Sequence, residues 1–369
     1  MYSWLRGQAF ASLVLRCFPF FVISALIIRT GIWFFPNYSS SLSIIQDPFR
    51  SPVLPAEQQY IFGSWLIHVI AHFLLVKSAG QFFLLNFVFV VLFFVIAWFA
   101  IRKSYPGQLG SIAFGIFCLF PASSMIIWWV GMDALTLVLL EIIVISVIRG
   151  WWVGSIFASV LLALQHFEFG FLALVLLLVS FTVQRAKSRS ILLFASIILL
   201  CLSKLIFEVA LSLSGITYVS RFTWMLENLS SSVSMFVWAL LPILWSLFGL
   251  LLVFKYWSGI NFRQSRHIFI PMVLALVPTM ASFDQTRTGA VLVFSALFYF
   301  LLTEAPLLTS KLQKINPGGL LLISVIPTLV VLSGKVQTGV FMEDIYYVIH
   351  ILFNVFDIPS DPSTWPFTN

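Results

Sequence analysis

The chain of 369 residues is 61% hydrophobic and 9% charged, with mean hydropathy +1.06 and a formal net charge of +7. Soluble domains carry roughly a quarter charged residues and under half apolar ones, so a water-soluble enzyme and a disordered chain are both excluded. The basic residues are scattered between apolar runs, which counts against a nucleic-acid surface, and Cys17, Cys118 and Cys201 fall inside such runs as small packed side chains.

A membrane-spanning helix needs about 20 apolar residues, with a usual range of about 17–25. Residues 1–10 carry Arg6, and Arg16 follows; the bulky stretch 20–35 lacks a small-residue cleavage site and reads as an uncleaved first span. Runs that qualify or nearly qualify lie at 11–34, 60–76, 81–101, 109–129, 132–149, 151–183, 190–213, 232–254, 267–282, 286–303 and 318–333. The run 151–183 is too long for one span and is interrupted by Gln165-His166-Phe167-Glu168, so it divides into two short spans with the polar group at the turn.

The run 60–76 is short and carries His68 and His72 at i, i+4; it reads as a helix lying at the interface. The positive-inside tendency selects that choice. Eleven spans then run from a cytoplasmic N-terminus to an outer C-terminus. Thirteen of the 20 basic residues fall inside with one acid, Glu304, and 10 of the 13 acids fall outside. The expected fold is all-α: one integral membrane domain over 1–369, with about 11 transmembrane helices and interfacial helices on the outer face. An outer loop at 35–80 holds one such helix. The outer tail 334–369 holds another at 341–356, where Ile345, Val348, Ile349, Leu352 and Phe353 recur at helical spacing.

Ionisable groups at membrane depth are costly unless paired or hydrated, so those beside the spans are the candidates for chemistry. Asp47 and Glu57 lie in a first outer loop stiffened by Pro48, Pro52 and Pro55. Either is a solvated acid or a general base held over a membrane cavity. Asp133 follows Trp128-Trp129-Val130-Gly131-Met132 and opens a span. As an N-cap it accepts backbone N–H bonds, and such a carboxylate also reaches a substrate.

His166 and Glu168 are solvated turn residues or ligands for sugar hydroxyls or a phosphate. Asp284 and Arg287, in Phe283-Asp284-Gln285-Thr286-Arg287-Thr288, form the densest polar cluster. Asp284 is placed to cap the next helix, and a guanidinium on the outer side suits bidentate phosphate binding. Arg221 is a second candidate anion ligand. Lys204 and Glu208, i and i+4, pair with each other. His68 and His72 lack a third metal ligand and read as interfacial polar tips. The sequence has no Walker motif, Gly-rich dinucleotide turn or zinc-protease pair, which counts against ATP-driven transport.

A first span, a large outer loop with acids and an interfacial helix, then many spans with outer polar residues: this layout resembles the GT-C superfamily of polytopic membrane glycosyltransferases, which use polyprenyl-phosphate-linked sugars. The resemblance covers the first half of the chain. Trp129-Val130-Gly131-Met132-Asp133 is similar to that family's outer-face Asp opening a span. Gln165-His166-Phe167-Glu168-Phe169-Gly170 is similar to its short helical hairpin, where a polar residue contacts donor phosphate. The resemblance implies Asp47 or Glu57 as catalytic base. The family's frequent adjacent acidic pair is missing, and His166 stands where a Lys is often found.

The function so implied is transfer of a sugar from a polyprenyl-phosphate donor to a glycan or lipid acceptor. It takes place on the outer, periplasmic face of a bacterial inner membrane, in cell-surface polysaccharide or glycolipid synthesis. Arg221 and Arg287 suit the donor phosphate. No resident cofactor is called for, and a divalent cation, Mg2+ or Mn2+, has two carboxylates available to it. Besides a non-catalytic scaffold subunit, two rivals stay open. One is a polysaccharide polymerase or ligase acting on lipid-linked glycans through outer arginines. The other is a transporter or flippase, which places ionisable groups at the midplane; Glu141, Lys204 and Glu208 lie within spans.

Overall fold

A computed structural model describes residues 2–32, 38–49, 64–184, 186–216, 229–230, 232–233, 262–282, 284–304, 317–325, 329–332 and 335–338. Twelve helices are described within them: α1 Tyr2–Thr30, α2 Tyr38–Gln46, α3 Trp65–Phe73, α4 Ala79–Ser104, α5 Gln108–Cys118, α6 Pro121–Trp128, α7 Asp133–Arg149, α8 Trp152–Gln184, α9 Lys187–Leu213, α10 Phe262–Met280, α11 Gln285–Thr303 and α12 Pro317–Val325. Local signals set several ends. Ser78 caps α4 by accepting the Gln81 N–H at 3.2 Å. Pro121 opens α6, where its missing N–H costs nothing. Gly150, at φ 67°, ends α7 in the left-handed region that favours glycine.

Among the described residues, α4, α9 and α11 are long and apolar enough to cross a membrane, as is α8 when its length is counted straight through the break at His166, and α5 with α6, bent by 69°, make a fifth candidate if counted as one. The chain is therefore a helical protein with several candidate spans. Eleven were expected; two of the missing spans have identifiable sources. Most of the run 232–254 lies outside the described residues, as do the expected tail helix at 341–356, Glu57 and Arg221. The run 318–333 is not one helix: α12 stops at Val325, and Leu329–Leu332 (β1) pairs antiparallel with Lys335–Thr338 (β2). Pro327 follows closely and cannot continue a helix, and β-branched residues beyond it favour a strand.

Burial separates central from peripheral helices. In α11 every side chain from Thr288 to Leu302 is buried, and α7 is buried over most of its length. Phe93 of α4, Phe117 of α5 and Phe294 of α11 meet at centroid distances of 5.3–6.3 Å in this centre. A Cβ at Gly115 would overlap the Phe18 ring, so the approach of α1 to α5 needs a glycine there. By contrast α4 exposes Leu84, Phe87, Val88, Val91, Val95 and Phe99, and α9 exposes Ile191, Phe194, Ile198, Leu202, Leu205 and Val209. Each set is one helical stripe of large apolar side chains, which suits lipid and not water.

α8 breaks at His166, whose φ −161° and ψ 82° are not helical. A Cβ at Gly170 would stand 2.6 Å from Leu162 Cγ. Eight residues of unbroken helix rise about 12 Å, so the two halves of α8 fold back on one another around His166. The polar interruption Gln165–Glu168 thus sits at the tip of a helical hairpin. α3, nine residues long, rises about 13 Å, under half the hydrocarbon thickness.

The bundle has two poles. Tyr105, after α4, donates its hydroxyl to the Leu301 carbonyl at 2.6 Å, and Gln184 donates to Glu304 at 3.1 Å. The ends of α4, α8 and α11 therefore share one pole. The starts of α7 and α11 share the other with the α8 tip.

Candidate functional site at the pole of the α8 tip

Arg287, in the first turn of α11, is the centre of this pole. Its Nε donates to Asp133 Oδ2 at 2.5 Å and its Nη2 to Asp133 Oδ1 at 3.2 Å, a bidentate pair. Its Nη1 donates to Asp284 Oδ2 at 3.0 Å. The guanidinium carbon lies 5.5 Å from the ring centroids of both Trp129 and Phe169. A positive group against aromatic faces is favoured by the ring quadrupoles, more so when water is excluded. Phe169 in turn stacks on His166 at 4.0 Å and 4°, and His166 Nδ1 lies 3.5 Å from Glu168 Oε2.

Sequence reasoning gave Asp133 and Asp284 helix-capping roles as alternatives to substrate contact. Neither side chain caps. Asp133 is the first residue of α7, with Met132 in the cap position, and Asp284 holds the cap position of α11 without a side-chain cap bond. A buried carboxylate gains more from a guanidinium than from one or two amides. Asp133, 1% exposed, is fully committed to that pair.

Gln165 fastens the hairpin tip to its surroundings. Fully buried, it donates to the Met132 carbonyl at 2.8 Å and accepts the Ile67 N–H at 3.1 Å. One amide thereby ties α8 to the start of α7 and to α3. Ser64, just before α3, donates to Met132 Sδ at 2.9 Å.

α3 brings in the Asp47 turn. Trp65 Nε1 donates to the Pro48 carbonyl at 2.9 Å, and its ring meets Phe49 at 5.6 Å and Phe207 of α9 at 4.8 Å. Asp47 itself is exposed and accepts the Phe49 N–H at 3.2 Å. No contact joins it to Arg287 among the described residues; its link to the pole is the Trp65–Pro48 hydrogen bond. The histidines of α3 differ from the polar tips expected. His68 is fully buried with Nδ1 2.8 Å from the Ser64 carbonyl, and burial pushes its pKa down to about 4, so it is neutral. His72 Nδ1 lies 2.8 Å from the Ile45 carbonyl and secures α2.

Of the residues singled out from sequence, Asp133, His166, Glu168, Asp284 and Arg287 are brought together. Asp47 is placed at the edge of the same pole, while Glu57 and Arg221 lie outside the described residues. Gln165, Trp129 and Phe169 complete the site without having been candidates. None titrates, and only their positions beside His166 and Gly131 set them apart. Among the described residues no group of three or more His, Cys, Asp or Glu side chains is placed to hold a metal ion.

Lys204 and Glu208 form the expected pair at 3.6 Å, with the ammonium 5.9 Å from the Phe167 ring at the hairpin tip. Comparison of the chain with protein-family models, with curated proteins and with solved structures finds no match.

Proposed function

We propose that this chain is a membrane glycosyltransferase. It moves a sugar from a polyprenyl-phosphate-linked donor to an acceptor hydroxyl on the outer face of a bacterial inner membrane, in cell-surface polysaccharide or glycolipid synthesis. The observation that carries the reading is the convergence of Asp133, His166, Glu168, Asp284 and Arg287 at one pole of an apolar bundle. The Asp47 turn is lodged on that pole through Trp65. A lipid-linked donor supplies its own anchor, so the protein need supply only polar groups beside a lipid-exposed flank such as that of α9.

In this reading Asp47 or Glu57 takes the acceptor hydroxyl proton as the acceptor oxygen bonds to the anomeric carbon. The bond from that carbon to the phosphate oxygen breaks, and polyprenyl phosphate leaves with the electron pair. Asp47 is exposed, so an acceptor in water can reach it. Asp133 and Arg287 hold the frame, Asp284, His166 and Glu168 serve the sugar, and Arg221, outside the described residues, has the part of phosphate ligand. If a divalent cation took part, the carboxylates of Asp47 and Glu57 would be the groups to hold it, and it would offset negative charge on the departing phosphate.

The test is sugar transfer by the purified protein from a panel of polyprenyl-phosphate sugars. Asp47→Asn and Glu57→Gln together should lower the rate at least ~100-fold, the scale of general-base loss. Full activity in both variants would remove the base assignment.

A transporter or flippase is the second reading, and one observation favours it. Glu141, in the middle of α7, is fully buried, and neither carboxyl oxygen has a hydrogen-bond partner among the described residues. Ionisable groups in such places mark ion and substrate pathways. Flux of a lipid-linked sugar across proteoliposomes, abolished by Glu141→Gln and without any transfer, would establish it. The polymerase reading leans on outer arginines, and Arg287, the arginine at the candidate site, is engaged by two carboxylates.

A further inference from the structure

Arg287 is matched by two carboxylates, so a phosphate arriving at this pole would find its charge already compensated. A second cation beside the α8 tip is Lys204 on α9. Its Nζ is nearly buried, between Phe167 of the α8 tip at 5.9 Å and Phe207 at 5.8 Å. One of its partners, the carboxylate of Glu208, is 38% exposed and 3.6 Å away. That is longer than the ~2.7–2.9 Å of a charge-assisted hydrogen bond. A lysine near a membrane boundary ordinarily extends its ammonium outward along its flexible stem. This one is drawn in toward the hairpin tip instead.

The surroundings of Lys204 define how an anion would come to it. Leu205, Ile206 and Val209 on the same helix are exposed on the apolar flank. From Arg189 to Lys204 the helix rises about 22 Å of a hydrocarbon layer about 30 Å thick. The ammonium therefore lies near the boundary layer, next to a face that accepts acyl or prenyl chains. On the aqueous side the exposed carboxylate of Asp47 and the partly exposed one of Glu168 repel a free anion. A phosphate delivered laterally by its own lipid chain meets Lys204 without passing them.

We propose that Lys204 binds the phosphate of a phosphorylated lipid that enters along α9, and that Glu208 holds the ammonium until the phosphate displaces it. Phosphate carries more charge and more acceptor oxygens than one carboxylate, so exchange is favourable once the headgroup is delivered. The proposal deepens the transferase reading, on which it rests for the choice of a polyprenyl carrier as the lipid.

The experiment places the full chain in phosphatidylcholine nanodiscs and measures polyprenyl phosphate binding by native mass spectrometry, with inorganic phosphate as competitor. Lys204→Gln should weaken binding about 10-fold, the loss of one charged hydrogen-bond donor. Lys204→Arg should stay within about threefold, since a guanidinium also binds phosphate. Glu208→Gln should tighten binding about threefold, the release of one half-exposed ion pair.

Unchanged binding in Lys204→Gln overturns the proposal, and so does weakened or unaltered binding in Glu208→Gln, the result expected of a merely structural pair. Should Lys204→Gln not fold, Lys204→Arg and Glu208→Gln decide the matter. Displacement by millimolar inorganic phosphate would assign the site to a free anion and overturn lateral entry. Lys204-dependent binding without sugar transfer leaves this site standing and sinks the transferase reading. Sugar transfer indifferent to Lys204→Gln does the reverse.

Discussion

Arg287 grips Asp133 with two parallel donors across 154 residues of sequence, and joins α11 to α7 where both helices begin. Asp133 is almost wholly buried, so removing the guanidinium strands a carboxylate out of water. Breaking a buried pair from one side costs about 3–5 kcal/mol. Arg287→Ala should lower stability in detergent by about 3 kcal/mol, and Arg287→Lys should restore little of it, because an ammonium cannot make the planar two-point contact. Asp133→Asn combined with Arg287→Gln should be less harmful than the two single losses added together. Strict additivity in chemical unfolding would show that the two side chains do not interact.

The fold-back of α8 predicts a cross-link. Leu162 and Gly170 lie side by side in the hairpin but about 12 Å apart in a continuous helix. With Cys17, Cys118 and Cys201 replaced, Leu162→Cys and Gly170→Cys should form a disulfide under mild oxidation. Leu162→Cys with Gln184→Cys, one half-hairpin further on, should not. Mass analysis of the intact chain reads the loss of two hydrogens directly, and its absence in the first pair would mean that α8 is straight.

Much of the helical outline was legible because apolar runs of spanning length have few other uses, and the break at residues 165–168 showed as a polar interruption. Partnership was not legible. Asp133, Asp284 and Arg287 each stood out as charged residues at span edges, yet helical periodicity does not say which edges meet. Capping was the local expectation for both acids, and it lost to a guanidinium supplied from far along the chain. Trp129, Phe169 and Gln165 carry no titratable group to mark them. The run 318–333 misled for a different reason. Hydropathy alone does not tell a strand from a helix, and Pro327 was the local signal that should have divided it.

Sidedness is open to direct labelling. Asp47 and Glu168 belong to the pole that holds Arg287, while Arg149, at the exposed far end of α7, belongs to the other. In sealed vesicles, an impermeant maleimide should modify Asp47→Cys and Glu168→Cys from the same side and Arg149→Cys only from the opposite one. Modification of positions 47 and 168 from different sides would break up the candidate site.

At the other pole Arg189 donates to the Tyr299 hydroxyl at 2.9 Å, Tyr299 donates to Gln184 at 2.7 Å, and Gln184 donates to Glu304 at 3.1 Å. His267 lies 3.8 Å from the same carboxylate oxygen. Burial pushes the Glu304 carboxyl above its ordinary value of 4.5. The folded chain therefore holds this proton more tightly than the unfolded chain does. Its contribution is complete below the unfolded value and is lost as pH climbs to the raised folded value. Glu304→Gln keeps an acceptor for Gln184 and has no proton to lose. Thermal midpoints of the wild-type chain should thus fall relative to the Gln variant as pH rises above 4.5, and the two should converge at lower pH. A wild-type midpoint that rises relative to the variant over that window would mean that the carboxylate form is the one the fold prefers, with His267 outweighing burial.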